Sequence, residues 1–523
     1  MPVARLVVLV GLSALLVTSE VLAQALPNLS TIRVRYNTLK ATVKPEGALK
    51  AAIEEIDKAI TDASRAGRTG EVRRLYAKGR ALLAGRTWTD ADEYQAALVI
   101  RTDRVIVDSS APYRVRLEQI FAPAINLSGP LTARATIRRR VVPEIDQDGN
   151  PVTTANRAPP PAPVALGTFD GVSRDLRESP FAADLDVSAV PDGDYEVSFE
   201  VRQQERALGM ATLEVALQKG LDARLRALEA AAIKAAPAVQ ADIRFPAEYV
   251  RKINTGVIGT GTFDLTADVA AAEATAKAAA KTKKDPYAGR TGDFERHYVL
   301  DGANEIMPYR VFVPKAYTGA QAFPLIIALH GLGGTEDGML DRYGKLIPTL
   351  SEERGYIVAS PLGYRVDGFY GSAVAATTDA RERRDRELSE QDVMQVLKRM
   401  RADYKIDESR IYLMGHSMGA IGTWAIAAKY PDIWAAVAPF AGVGSPATVS
   451  RFRHIPQFVV HGDADATVNV SGSRNMVAEM KKLGVDVTYI EVPGGGHTNV
   501  VAPNIQGMFD FFDTRRKGTL ISQ

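Results

Sequence analysis

Hydrophobic and polar positions alternate in three different ways along this chain. Between 30 and 96 the period is that of a helix. Leu49, Ile53, Ile56, Ile60 and Ala63 recur at three- and four-residue steps, and Val72, Leu75, Tyr76, Gly79, Leu82 and Leu83 repeat the pattern. Each set makes one apolar stripe, and Gly67 stands between them, so the spacing predicts a helical hairpin. From 97 to 218 the period becomes two. Strands are predicted at 99–107, 113–120, 131–138, 164–169, 183–187, 194–202 and 207–217. Pro191-Asp192-Gly193-Asp194 turns into the alternating run Tyr195 to Val201. Short strands at this spacing suggest a small β-sandwich. The polar, proline-bearing stretch 143–163 reads as a loop, and Asp146 to Asn150 within it as a polar turn rather than a calcium loop.

The helical period returns at 219–240, with Leu221, Leu225, Leu228 and Ala232 on one face. Residues 265–284, rich in Ala, Lys and Thr, read as a helical or frayed linker within a connecting segment 219–292. From 293 to 523 strands and helices alternate. Strands are predicted at 296–300, 308–313, 324–329, 355–360, 410–414, 434–438, 456–461 and 487–492. Helices are predicted at 340–353, 386–403, 418–430, 471–483 and 502–515. Runs such as Phe323 to Leu329 are apolar throughout, as strands covered on both faces must be. The alternation implies a doubly wound, mostly parallel α/β sheet, with function at the carboxyl ends of its strands.

Composition narrows the chemistry. The 523 residues are too many for one core, and a net charge of +2 gives no support for a nucleic-acid partner. With no cysteine there are no disulfides, thiolate metal sites or cysteine nucleophile. Residues 1–23 read as a signal peptide: Arg5, an apolar run from Leu6 to Val17, then Val21-Leu22-Ala23. The expectation is an exported protein, secreted or periplasmic, with no stable membrane insertion after cleavage. The oligomeric state is left open.

Four motifs fall at predicted strand ends. His330-Gly331-Leu332-Gly333-Gly334 follows the strand ending at Leu329. Gly415-His416-Ser417-Met418-Gly419 joins a strand to an Ala-rich helix. His461 to Val468 contains Asp463 and Asp465, and Gly494-Gly495-Gly496-His497 follows the last strand. A serine hydroxyl needs a base within reach, and the base needs a carboxylate to fix its tautomer. Ser417 is the candidate nucleophile and His497 the candidate base, carried on a glycine loop. Asp465 stands far enough along its loop to turn back toward His497, and Asp463 is the competing acid. The N–H groups of Met418 and Leu332 are the candidate oxyanion donors. His330 and His461 read as loop braces and His416 as local packing. No spacing suggests a catalytic metal, and no cofactor is implied. Residues 362–390, with Tyr364, Phe369 and Tyr370, read either as a wall of the acyl site or as a solvated loop.

On these motifs, with Asp407 to Gly419 and Tyr430-Pro431-Asp432, residues 293–515 resemble the α/β-hydrolase superfamily. They are similar to exported esterases related to polyhydroxybutyrate depolymerases and feruloyl esterases, and to prolyl-oligopeptidase-like hydrolases. The resemblance implies a triad of Ser417, Asp465 and His497, an acyl-enzyme, and a small-molecule or polymeric ester as substrate. The alternatives are a peptidase with the same triad and a polymer-binding protein with a vestigial hydrolase.

Overall fold

The structure, a computed structural model, describes residues 29–141, 161–259, 261, 263–374, 377 and 379–518. The expected leader at 1–23 and the polar turn at 146–150 lie outside the described residues.

The chain opens with α1 (Leu29–Val43), α2 (Gly47–Arg65), α3 (Thr69–Leu83) and α4 (Asp90–Ala97). The two predicted stripes meet as α2 packs on α3, burying Ile53, Ile56, Ile60, Val72, Leu75 and Tyr76 together. The hairpin is therefore two of four helices. Helix α1 has a weak stripe, and it is held mainly through Tyr36, whose ring packs over Gly79 of α3 and whose hydroxyl donates to Asp57, 2.9 Å away. Such a long-range anchor leaves no periodic trace in the sequence.

The period-two region forms β1 (Leu98–Thr102), β2 (Ile106–Val107), β3 (Tyr113–Gln119), β4 (Leu131–Arg139), β5 (Val164–Val172), β6 (Phe181–Leu185), β7 (Gly193–Gln203) and β8 (Arg206–Leu217). They make a three-stranded sheet, β1-β3-β6, and a five-stranded sheet, β2-β8-β7-β4-β5. The sheets share one core that includes Tyr113, Leu117, Phe199 and Leu213. The single strand expected at 99–107 breaks at Asp103 and Arg104, and its two parts join different sheets.

Three helices follow: α5 (Leu221–Lys234), α6 (Gln240–Asn254) and α7 (Leu265–Thr282). The stretch expected as a helical or frayed linker is helical, and it is packed rather than frayed. Helix α7 buries Val269, Ala272, Thr275 and Ala279 and packs on α5 and α6. Alanine gives a helix little bulk but lets its axis come close, so low apolar volume did not mean a spacer. The predicted helix at 219–240 ends at Lys234, and α6 is a separate element with Pro246 inside it. Its faces serve two cores. Ile243, Val250 and Ile253 join the sandwich core, while Phe245 and Tyr249 pack on Ile306 of the second half.

That half is an eight-stranded sheet. Its strands are β9 (Gly292–Leu300), β10 (Glu305–Val313), β11 (Phe323–Leu329), β12 (Ile357–Pro361), β13 (Ile406–His416), β14 (Ala436–Phe440), β15 (Gln457–Gly462) and β16 (Val487–Val492). The order is β16-β15-β14-β13-β11-β12-β10-β9. Strand β10 is antiparallel to both β9 and β12, and the remaining pairs are parallel. The helices are α8 (Glu336–Asp341), α9 (Leu346–Arg354), α10 (Ala380–Asp403), α11 (Met418–Lys429), α12 (Ser471–Lys482) and α13 (Ala502–Asp513). They cover both faces and leave a separate apolar core on each. Among the described residues no helix is long and apolar enough to cross a membrane.

The two halves meet along α6 and the β9–β10 hairpin. Glu248 accepts from the Ile306 N–H at 2.7 Å, and Asp242 from the His297 N–H at 2.7 Å. Lys252 lies 2.9 Å from both Glu248 and Glu305. Glu305 also accepts from the Tyr364 hydroxyl at 2.8 Å and pairs with Arg365 at 3.1 Å. Phe245, only 2% exposed, fills the apolar part of this seam. Phe245→Ala is expected to cost about 3–5 kcal/mol, lowering the urea midpoint for unfolding. A loss below about 1 kcal/mol would mean that the seam is not cooperative with either core.

Candidate active site

Strand β13 ends at His416 and α11 begins at Met418, so one residue, Ser417, makes the whole turn. Its backbone lies at φ 57° and ψ −117°, a conformation that costs about 1–3 kcal/mol for a residue with a side chain. The neighbouring glycines make it possible. A Cβ on Gly415 would overlap the Gly419 carbonyl group, and one on Gly419 would overlap the Leu329 carbonyl at the end of β11. The Ser417 N–H is tied to the Phe440 carbonyl of β14 at 2.9 Å. The hydroxyl therefore stands at the carboxyl edge of the central strands, beside the N-terminus of α11.

The structure brings the three sequence-predicted side chains together. His497 Nε2 is 2.8 Å from Ser417 Oγ, and His497 Nδ1 is 2.7 Å from Asp465 Oδ2. The other Asp465 oxygen accepts from the N–H groups of Thr467 and Val468 at 2.8 and 2.9 Å. Burial works against an ionised Asp465. The hydrogen bonds from His461, His497 and Val468 outweigh it and hold the carboxyl well below the usual carboxylate range. Asp463 has a different partner: it accepts from the Gly494 N–H at 2.6 Å and so staples the acid loop to the histidine loop.

His461 is fully buried, with Nδ1 2.7 Å from Ser473 Oγ and Nε2 2.9 Å from the Val468 carbonyl. His330 lies below the glycine loop, its Nε2 2.6 Å from the Leu362 carbonyl and its Nδ1 2.8 Å from that of Gly331. Burial lowers its pKa. Both rings brace loops, as their positions at strand ends suggested.

The glycine loop passes directly over the serine. A Cβ on Gly331 would sit 3.3 Å from that of Ser417. The Gly333 N–H donates to Val366 at 2.8 Å and the Gly334 N–H to Gly331 at 2.9 Å. No backbone partner takes the Leu332 N–H among the described residues. The Met418 N–H belongs to the first turn of α11, where donors have no intrahelical acceptor. Leu332, the residue after Gly331 in the glycine loop, is 45% exposed.

Residues 362–372 are packed into the fold and do not form a solvated loop. Tyr370 is fully buried at φ 49°, its ring pressed on Gly422 of α11 and its hydroxyl donating to the His330 carbonyl at 3.3 Å. Asp392 of α10, also fully buried, accepts from the Tyr364 N–H at 2.8 Å and from the Tyr298 hydroxyl. Burial pushes its pKa up to about 6. Sequence reasoning missed this carboxylate. Its one signal was an Asp placed on the apolar stripe of α10 between Leu388 and Val396. Among the described residues no group of three or more His, Asp or Glu side chains could hold a metal ion.

Residues 302–487 match the sequence model of a family described as "Putative esterase". A bifunctional acetylxylan esterase/xylanase of Neocallimastix patriciarum is 30% identical over 146 residues, 28% of this chain and 20% of that protein. A feruloyl esterase B of Talaromyces stipitatus is 30% identical over 133 residues, 25% of this chain and 35% of that one. The chain thus spans about a third or less of the length of these relatives. A solved thermostable esterase superposes with TM-score 0.39 at 16% identity, covering 81% of this chain and 96% of that one. By the match over 302–487, with the strand order and the serine turn between β13 and α11, the C-terminal half of this chain is similar to α/β-hydrolase serine esterases.

Proposed function

We propose that the chain is an exported serine hydrolase that cleaves carboxylic esters through an acyl-enzyme. The observation that carries the reading is the chain of contacts from Asp465 through His497 to Ser417, at 2.7 and 2.8 Å, at the carboxyl ends of the strands. Ser417 Oγ attacks the ester carbonyl carbon while His497 Nε2 takes its proton. Asp465 holds His497 in the tautomer that leaves Nε2 free to accept, and it stabilises the imidazolium that forms. The N–H groups of Leu332 and Met418 receive the oxyanion. Collapse of the tetrahedral intermediate expels the alcohol, protonated by His497. Water, deprotonated by the same ring, then attacks the acyl-serine. No cofactor enters these steps.

The relatives named as acetylxylan and feruloyl esterases support short acyl or aryl esters as the substrate class. Residues 293–523 form the catalytic unit in this reading. Ahead of it stand a leader at 1–23, helices at 30–96, an immunoglobulin-like sandwich at 97–218 and the connecting helices of 219–292.

Hydrolysis of p-nitrophenyl esters from acetate to octanoate tests the chemistry. Ser417→Ala is expected to lower kcat at least about 1,000-fold. Equal activity in the variant would remove the serine from the mechanism. Faster cleavage of p-nitroanilides than of esters would point to a peptidase instead.

Asp465 also links the site to stability. Its folded pKa is depressed, so its contribution is fully present above about pH 4, where the unfolded chain's aspartates ionise, and is lost as pH falls through the folded value. Thermal midpoints measured between about pH 2 and 5 should therefore fall more steeply for the wild type than for Asp465→Asn. Parallel slopes would contradict the assigned hydrogen bonds.

A further inference from the structure

Behind the serine stands a second imidazole that the steps above do not use. His416 ends β13 immediately before Ser417, and it is 3% exposed. Its ring centroid lies 4.9 Å from that of His497. Its Nε2 is 2.9 Å from the main-chain carbonyl oxygen of His497, and its Nδ1 is 3.0 Å from the Tyr343 hydroxyl. A carbonyl oxygen only accepts, so His416 Nε2 carries the hydrogen. In the neutral ring Nδ1 is then bare, and Tyr343 donates to it. One tautomer satisfies both contacts. Burial first, and the neighbouring His497 second, push the His416 pKa down to about 3, so the ring is uncharged at neutral pH.

Tyr343 is held for this contact. It sits between α8 and α9, where Tyr343, Gly344 and Lys345 all take left-handed backbone angles, φ 58°, 64° and 56°. Two of these three residues carry side chains, which disfavour that region. The tight turn directs the phenol inward, edge-on to the His416 ring.

His497 needs such an anchor. Gly494, Gly495 and Gly496 let its loop reach the serine and have no side chains of their own to hold it, so its position rests on hydrogen bonds. Asp465 fixes one end of the ring, Gly496 donates to Asn499 at 2.9 Å, and Ala464 donates to the Gly495 carbonyl at 3.0 Å. The carbonyl of His497 itself is held by His416.

We infer that His416 is a positioning residue: its Nε2–H bond to the His497 carbonyl sets where the base stands against Ser417, and Tyr343 fixes the tautomer that makes that bond. The neutral ring also leaves the positive charge formed on His497 during turnover without a like-charged neighbour. This inference rests on the proposed roles of Ser417 and His497.

The test measures kcat and KM on p-nitrophenyl acetate, the rate of Ser417 labelling by a fluorophosphonate, and the thermal midpoint. The variants are His416→Ala, His416→Gln and Tyr343→Phe, with Ser417→Ala as the control. A displacement of the base by about 1 Å is worth roughly 100-fold in rate. His416→Ala is accordingly expected to lose about 100-fold in kcat and in labelling rate, with KM within about twofold. His416→Gln, whose amide N–H can donate to the same carbonyl, should recover at least about tenfold of that loss. Tyr343→Phe, which keeps its volume, should lose about 3–10-fold in kcat.

A folded His416→Ala with wild-type kcat and labelling rate would overturn the inference alone, as would a Gln variant no better than Ala. If neither His416 variant folds, Tyr343→Phe decides, and wild-type kcat there overturns it. A wild-type chain that the fluorophosphonate does not label, or a Ser417→Ala variant that stays active, would overturn the reading beneath it and the inference with it.

Discussion

The turn at Ser417 closes only because hydrogen atoms stand where two side chains would be. Gly415 and Gly419 let the end of β13, the start of α11 and the end of β11 occupy almost the same space. The serine between them takes a disfavoured conformation, and nothing local repays that strain. It is held by the parallel sheet itself, through the Phe440 carbonyl of the adjacent strand and through the close-packed cores on either face. Everything else at the site is arranged around this fixed point. The glycine loop crosses over it, the acid and histidine loops arrive from β15 and β16, and the 362–372 segment packs behind the helix that begins there.

Most of this half was legible in the sequence, for a physical reason. Strands buried on both faces must be short and apolar throughout, and loops that shape backbone donors need glycine. Both kinds of signal are local. All eight strands of the sheet appear where the apolar runs stood, each shifted by a few residues at most. Ser417, Asp465 and His497 were nameable because their order and loop chemistry narrow the choice. Asp463 and Asp465 differ by only two positions, and their separate partners, Gly494 and His497, depend on how the loop folds.

The parts that were not legible rest on contacts between distant residues. Helix α6 drew no prediction, and it carries Pro246 in its interior with buried side chains on both sides of it. The alanines of α7 read as a spacer because their burial depends on partners in α5 and α6. Tyr343 meets His416 across 73 positions, and Tyr298 meets Asp392 across 94. A periodic pattern cannot carry such pairs. They are visible only once the topology has brought them together.

Helix α6 bears on how the chain can be divided. One face belongs to the sandwich core and the other to the eight-stranded sheet, with Lys252 buried between Glu248 and Glu305. A buried ion without its partner is far more costly than the intact group. Cutting the chain ahead of β9 would strip Lys252 from Glu305 and uncover Ile306, while leaving Phe245 and Tyr249 bare on the other fragment. The boundary that composition suggests is therefore a boundary of architecture and not of modularity. A fragment that begins at β9 would carry an uncovered apolar patch at Ile306 and an unpaired Glu305 contact where α6 now packs.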